Sequence, residues 1–233
     1  MRIPFVRDPV DKSYRKMISG MDLFARGRHF APAATLRFRL LPRLPNSRLD
    51  GVTLRIAGDT VSQPVELGSD LSFTLPRDAQ AWREDAAVLA NRRSDSMTWR
   101  AWVASAGVAP GTRRLGDLRL ECRVGVQAGL ISNSSPLFGW LNALLTDADA
   151  VCSAPDGNYL FFSDRPLFGV TLRDGARTAT LPLSMLYAGG TQDRASLPYC
   201  DCQVLLERSY YAPLWDRSWP DDTVLEFDYM DAP

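Results

Sequence analysis

The sequence contains a single histidine, His29, and lacks the common catalytic motifs. It has no G-x-S-x-G nucleophile elbow, no G-x-x-x-x-G-K phosphate loop, no H-E-x-x-H zinc motif and no dinucleotide-binding glycine fingerprint. A serine or cysteine nucleophile activated by histidine would have to use His29. Because no carboxylate stands close to it in sequence to orient the ring, we predict an ordinary surface or packing histidine. We expect no catalysis, no cofactor and no metal.

Long hydrophobic runs are also missing. No stretch approaches the ~18 consecutive apolar residues that a membrane-spanning helix needs, so we predict no transmembrane segment. Residues 1–8 lack the charged region and apolar stretch of a secretory signal. If the protein is exported, we therefore expect this chain to be its mature form.

Neither sign of charge is in excess, because Lys plus Arg and Asp plus Glu both number 27. A chain with zero net charge has no overall basic field to attract phosphate backbones, which disfavours nucleic acid as a partner. Lysine occurs only at Lys12 and Lys16. The arginines alternate with apolar residues along candidate strands, a pattern that predicts solvated strand faces. The arginines in this group are Arg37, Arg39, Arg55, Arg119 and Arg123.

Four cysteines are present, and an even set in a chain with many Pro and Gly residues favours disulfides and export. Cys122 shares the inward face of a predicted strand at 118–126. Cys200 and Cys202 share one strand face, near the upper limit of Cα separation for a direct bridge, so bridges from this pair back to Cys122 and Cys152 look easier. All three pairings stay open. Reduced thiols and a zinc site are the rival interpretations, but one C-x-C beside two isolated cysteines is poor zinc spacing.

Short runs of alternating apolar and polar residues, bounded by Pro, Gly, Asp or Asn, predict antiparallel strands. A hairpin is predicted around Asp174-Gly175, with Phe168 opposite Leu181 and Val170 opposite Ala179. The fold class we expect is mainly β, with antiparallel β-sandwich-like units and one amphipathic helix between them. The predicted strands are 36–40, 52–56, 71–75, 98–103, 118–126, 159–162, 168–173, 176–181, 200–206 and 224–229.

Two helices are predicted by apolar spacing. Tyr14, Met17, Ile18 and Met21 recur on one helix face, with Asp11 able to cap its start. Ser135 before Pro136 predicts the start of an amphipathic helix that runs to about Asp147.

The predicted elements divide the chain into four parts. These are an N-terminal segment (1–32), a first β unit (33–131), a helical connection (132–150) and a second β unit (151–233).

The C-terminal segment holds the one stretch that suggests a ligand site. Trp215 and Trp219 stand beside Asp216, Asp221 and Asp222. Aromatic rings beside carboxylates suit a sugar-binding or glycoside-cleaving surface, and three Asp residues could ligate calcium, although no calcium-loop spacing is present. We favour a structural interpretation, in which at least one indole covers a core and the Asp residues form solvated turns.

The favoured interpretation is a non-catalytic, exported binding or scaffold protein of the bacterial envelope, periplasmic or secreted, with a protein or glycan partner. One alternative is a carbohydrate-binding or glycoside-cleaving module that uses the Trp215 to Asp222 loop. Another is a cytoplasmic interaction protein that binds a metal through the cysteines. All three rest on protein class rather than on an identified site.

Overall fold

Antiparallel strands form most of the regular structure, as predicted. A computed structural model describes residues 11–43, 47–91, 97–130, 147–155, 159–189 and 205–230. The strands are β1 (Lys12–Ser13), β2 (Ala34–Pro42), β3 (Leu54–Ala57), β4 (Ser62–Val65), β5 (Ser72–Phe73), β6 (Ala87–Ala90), β7 (Met97–Ser105), β8 (Thr112–Arg114), β9 (Phe161–Phe162), β10 (Leu167–Asp174), β11 (Arg177–Thr180), β12 (Ser209–Tyr210) and β13 (Val224–Tyr229). The helices are α1 (Tyr14–Arg26), α2 (Ala79–Arg83), α3 (Leu115–Gln127) and α4 (Ala148–Ser153). None of the helices in these ranges is long and apolar enough to cross a membrane.

Two sheets build the N-terminal half. Their strand orders are β1-β6-β3-β4 and β5-β2-β7, and every pairing is antiparallel. Alternate side chains of both sheets point into one shared hydrophobic cluster, together with one face of α1 and one face of α3, which is a sandwich-like arrangement. We call this cluster the N-terminal core. Its largest members are Tyr14, Met17, Ile18, Phe38, Leu40, Leu54, Ile56, Phe73, Val88, Trp99, Val103, Leu120 and Val124.

A four-stranded sheet of order β11-β10-β13-β8 and the pair β12-β9 form the C-terminal half. They pack with the opposite face of α3 in a second cluster, which we call the C-terminal core. The predicted division into units stays a prediction, but strand pairing crosses it, because β8 at residues 112–114 pairs with β13. The members of the C-terminal core include Leu115, Leu118, Cys122, Val126, Cys152, Tyr159, Phe161, Val170, Leu172, Tyr210, Leu214, Trp219 and Leu225.

The N-terminal helix was expected, but its cap was not. Ser13, rather than the predicted Asp11, caps α1, because its hydroxyl accepts a hydrogen bond from the Lys16 N–H at 3.3 Å. Gly20 faces α3, and a Cβ at this position would lie 3.0 Å from the Cβ of Ala128. The glycine that weakens the helix in isolation therefore lets α1 and α3 pack closely.

The predicted hairpin is present, but the predicted register is wrong, because the turn lies one residue later in the chain than expected. The two turn residues are 175–176 instead of 174–175, and the Leu181 N–H donates to the Val170 carbonyl at 2.8 Å. Gly175 has a φ of 57°, which suits the first central position of a type II′ turn, where glycine is preferred. Phe168, predicted to face inward with Val170, is 70% exposed, because a β-bulge between Leu167 and Gly169 interrupts the alternation of the strand.

The strand predicted at 118–126 is wrong, because this segment lies inside α3. Residues two apart on a helix differ by about 200° in direction, so alternating apolar residues produce two apolar stripes on nearly opposite sides. Leu118 and Cys122 face the C-terminal core, whereas Leu120 and Val124 face the N-terminal core. A helix buried on two sides thus has the sequence pattern of a strand. Most of the helix predicted at 136–147 lies outside the described residues, and Asp147 caps α4.

Polar side chains of α3, together with Arg113 of β8, bind the outer edge of β7, to which no other described strand is paired. Asp117 accepts hydrogen bonds from the Ser105 N–H at 2.9 Å and the Ser105 hydroxyl at 2.7 Å. Glu121 accepts the Val103 N–H at 2.9 Å, and Arg113 donates to the Val103 carbonyl at 2.8 Å and to Glu121 at 2.7 Å. These side chains take the place of a neighbouring strand, and all of them are buried.

Substitution of Asp117 by Ala should destabilise the fold by about 2 to 4 kcal/mol, because two buried donors on Ser105 lose their acceptor. Asp228→Ala is the matched control, since Asp228 is exposed on β13 and should change stability by no more than ~0.5 kcal/mol. Urea denaturation of both variants measures the difference. Equal stability of the two variants would show that the β7 edge does not depend on Asp117.

Candidate functional site

Cys122 and Cys152 form a disulfide that joins α3 to α4, with a Cα–Cα distance of 6.0 Å. Both residues are buried. The bond overturns the expectation that Cys200 and Cys202 bridge back to these two residues. The physical reason is that Cys122 lies on a helix whose cysteine-bearing face packs against α4. Cys200 and Cys202 lie outside the described residues.

The indoles of the C-terminal loop differ in exposure. Trp219 is 5% exposed and belongs to the C-terminal core, which confirms the expectation that at least one ring is buried. The Arg177 guanidinium lies 3.6 Å from the Trp219 ring centroid and also donates to the Ser218 carbonyl at 2.7 Å. Trp215 is half-buried. The loop therefore does not present the two exposed, coplanar rings that a sugar platform would need.

The three aspartates of this loop bind three different groups. Asp216 accepts the Ser218 N–H at 2.9 Å, and hydrogen bonds from Ser218 lower the pKa of its carboxyl. Asp221 accepts a hydrogen bond from Arg119 at 2.5 Å, and the exposed Asp222 accepts one from Arg114 at 2.5 Å. Within the described ranges, no group of three or more His, Cys, Asp or Glu side chains could hold a metal ion.

Arg119 fixes the loop from inside the protein. It is 2% exposed, and its guanidinium donates to the carbonyls of Leu214 at 3.1 Å, Asp216 at 2.8 Å and Trp219 at 3.0 Å. Burial lowers the pKa of this arginine, and the bond to Asp221 opposes that shift. The predicted solvated role is therefore wrong for Arg119, because it lies on a helix that is buried on all sides.

Arg123 is the second arginine of α3 that is buried rather than solvated. It is 4% exposed, and its guanidinium contacts the Asp149 carboxylate at 2.5 Å and lies 4.3 Å from the Phe30 ring centroid. The prediction holds for Arg55, which is exposed on β3. Arg37 and Arg39 on β2 are half-buried, so of the predicted solvated set only Arg55 is exposed.

A groove of about 310 Å³ opens beside the half-buried Trp102 on β7. Its apolar lining comes from Leu41, Trp102 and Leu205. Two guanidiniums lie over the indole, that of Arg113 at 4.1 Å and that of Arg39 at 5.3 Å from the ring centroid. The ring is thus already engaged in cation–π contacts, which makes it a wall of the groove rather than a stacking surface.

Four charged residues line the same groove: Arg39, Asp70, Asp164 and Arg208. Arg39 donates to Asp164 at 2.8 Å, and the Asp164 side chain is 60% exposed. One carboxylate oxygen of Asp70 accepts the N–H of Ser72 at 3.1 Å and its hydroxyl at 2.7 Å, and these bonds lower the pKa of Asp70. The groove joins both halves of the chain and combines apolar surface with charges of both signs, which is typical of small-ligand sites.

A second depression, of about 390 Å³, is lined by Asp11, Asp59, Glu84 and Asp85. Glu84 stabilises the turn after β3, because it accepts hydrogen bonds from the Thr60 hydroxyl and N–H and from the Val61 N–H. Hydrogen bonds from Thr60 and Gln80 lower the pKa of Glu84 to about 2. These bonds give the glutamate a structural role, so the groove at Trp102 is the better candidate site.

Sequence reasoning missed this groove. Its residues come from five separate segments of the chain, and each segment carries an ordinary strand or turn pattern. His29, the one histidine, is exposed and its ring lies 4.2 Å from that of Phe30. It is not among the residues that line the groove.

Comparison with protein-family models, with curated proteins and with solved structures finds no match to this chain. The geometry of the described residues is therefore the basis for the functional argument.

The two indoles should respond differently to substitution by Ala. Trp219→Ala should cost about 3 to 5 kcal/mol, because it empties a position in the C-terminal core. Trp215→Ala, four residues earlier on the same loop, should cost clearly less because its ring is only half-buried. Urea denaturation measures both values. An equal or larger loss for Trp215→Ala would contradict the assignment of Trp219 as the core residue.

Proposed function

We propose that this protein is a non-catalytic binding or scaffold protein of an oxidising compartment, such as the bacterial envelope. The observation that carries the proposal is the buried disulfide between Cys122 and Cys152. Disulfides persist in exported proteins and are rare where glutathione and thioredoxin keep thiols reduced. The bond also ties α4 to the central helix, so we expect oxidation to stabilise the fold.

A binding role is supported by how the polar side chains are used. The carboxylates of Asp117 and Glu121 and the guanidinium of Arg119 all bind backbone groups, which is a structural use of charge. Burial raises the pKa of the Tyr159 hydroxyl to about 12, so this phenol stays neutral at physiological pH. In contrast, the groove at Trp102 presents charged groups to solvent. Its geometry suits recognition of a ligand better than chemistry on one.

The two alternatives have less support. The carbohydrate module would use the Trp215 to Asp222 loop, where Trp219 is buried against Arg177 and Asp221 is bonded to Arg119. The metal-binding protein would need all four thiols as ligands, and the disulfide uses two of them.

The compartment can be tested by trapping thiols in intact cells of the source organism before lysis. Alkylation followed by peptide mass spectrometry should recover Cys122 and Cys152 as a linked pair, and a sample reduced before alkylation is the control. Recovery of both cysteines as alkylated thiols would contradict an oxidising compartment. Loss of the bond in Cys122→Ala/Cys152→Ala should cost about 3 to 4 kcal/mol, given the sequence separation of 30 residues.

A further inference from the structure

The groove at Trp102 has balanced charge, and this balance limits what can bind there. Two arginines face two aspartates, so their formal charges sum to zero. A phosphate or another simple anion would meet as many carboxylates as guanidiniums. A ligand that carries one positive and one negative group matches such a lining better.

The polar groups that remain available lie close to one another in the fold. Within the described part of the chain, the Arg208 guanidinium has no hydrogen-bond or ion-pair partner. The backbone brings residue 208 close to the aspartate, because the Ser163 N–H donates to the Arg208 carbonyl at 2.9 Å and Asp164 is the next residue. The side chains of Arg208 and Asp164 both line the groove. Only one carboxylate oxygen of Asp164 is bonded to Arg39. The groove lining therefore offers guanidinium donors from Arg208 and a carboxylate acceptor from Asp164.

We propose that this groove binds a free α-amino acid with an apolar side chain. Arg208 binds the carboxylate, and Asp164, with Asp70 nearby in the lining, binds the ammonium group. The apolar side chain packs against Leu41 and Leu205. A volume of about 310 Å³ lies at the lower end for small-molecule sites, which suits a ligand of this size. The assignment rests on the proposed binding function and names its ligand class.

Isothermal titration calorimetry tests the proposal with three probes of matched shape. L-leucine carries both charges, 4-methylpentanoate lacks the ammonium group, and isopentylamine lacks the carboxylate. L-leucine should bind with a Kd below about 1 mM. Each analogue should bind about 10-fold or more weakly, because it leaves one charge-assisted hydrogen bond unmade.

Two variants test the residue assignment. Arg208→Gln and Asp164→Asn should each weaken L-leucine binding by about 10-fold or more. Arg55→Gln and Asp228→Asn are the matched controls, since both residues are exposed and do not line the groove, and neither should change the affinity. Arg55, Asp164 and Asp228 are exposed and Arg208 is half-buried, so circular dichroism verifies folding of each variant before titration.

Absence of L-leucine binding below about 1 mM overturns the ligand class. Equal binding of the three probes overturns the zwitterion argument, and unchanged affinity in Arg208→Gln overturns the site. These results are independent of the thiol trapping. A linked Cys122–Cys152 pair without leucine binding removes only the ligand assignment, whereas leucine binding with reduced cysteines removes only the oxidising compartment.

Discussion

The structure depends on one constraint: the outer edge of β7 is buried at Val103 and Ser105, and backbone groups of these residues are satisfied by side chains of α3 and by Arg113 of β8. An unpaired edge inside a protein is costly, because each buried N–H or carbonyl without a partner loses its hydrogen bond to water. Asp117 and Glu121 supply the acceptors. Burial alone would lower the pKa of Arg113, but the surrounding groups, Glu121 first among them, together raise it by more, so the guanidinium stays charged. Removal of either partner would leave an uncompensated buried charge.

The other features follow from the position of α3 against this edge. Since its carboxylates are fixed to β7, one apolar stripe of α3 enters the N-terminal core and the other enters the C-terminal core. The same orientation directs Cys122 toward Cys152 and Arg119 toward the carbonyls of the C-terminal loop. Arg113 bears on the candidate site as well, because its guanidinium packs on Trp102, which lines the groove. The helix thus connects the disulfide, the loop and the groove.

The sequence was sufficient to predict secondary structure where a segment has one solvent-exposed face and one buried face. The alternation of 224–229 predicted β13 with its observed ends, and Tyr14, Met17 and Ile18 predicted the buried face of α1. Prediction failed where a segment is buried on every side, since the pattern of 118–126 does not distinguish a strand from a helix with two apolar stripes. The buried roles of Arg119 and Arg123 were missed for the same reason. The groove was missed because tertiary packing assembles it from distant segments.

Amide hydrogen exchange at Val103 and Ser105 tests the central claim most directly. Their N–H groups bind carboxylates of α3 instead of a strand, and we predict that they exchange only through global unfolding, like the amides of Leu118 and Cys122. Thr178 is the internal reference, because it lies on the outer strand β11 at a position where the ladder alternation points its N–H away from β10. Exchange of Val103 and Ser105 as fast as that of Thr178 would contradict a β7 edge held by Asp117 and Glu121.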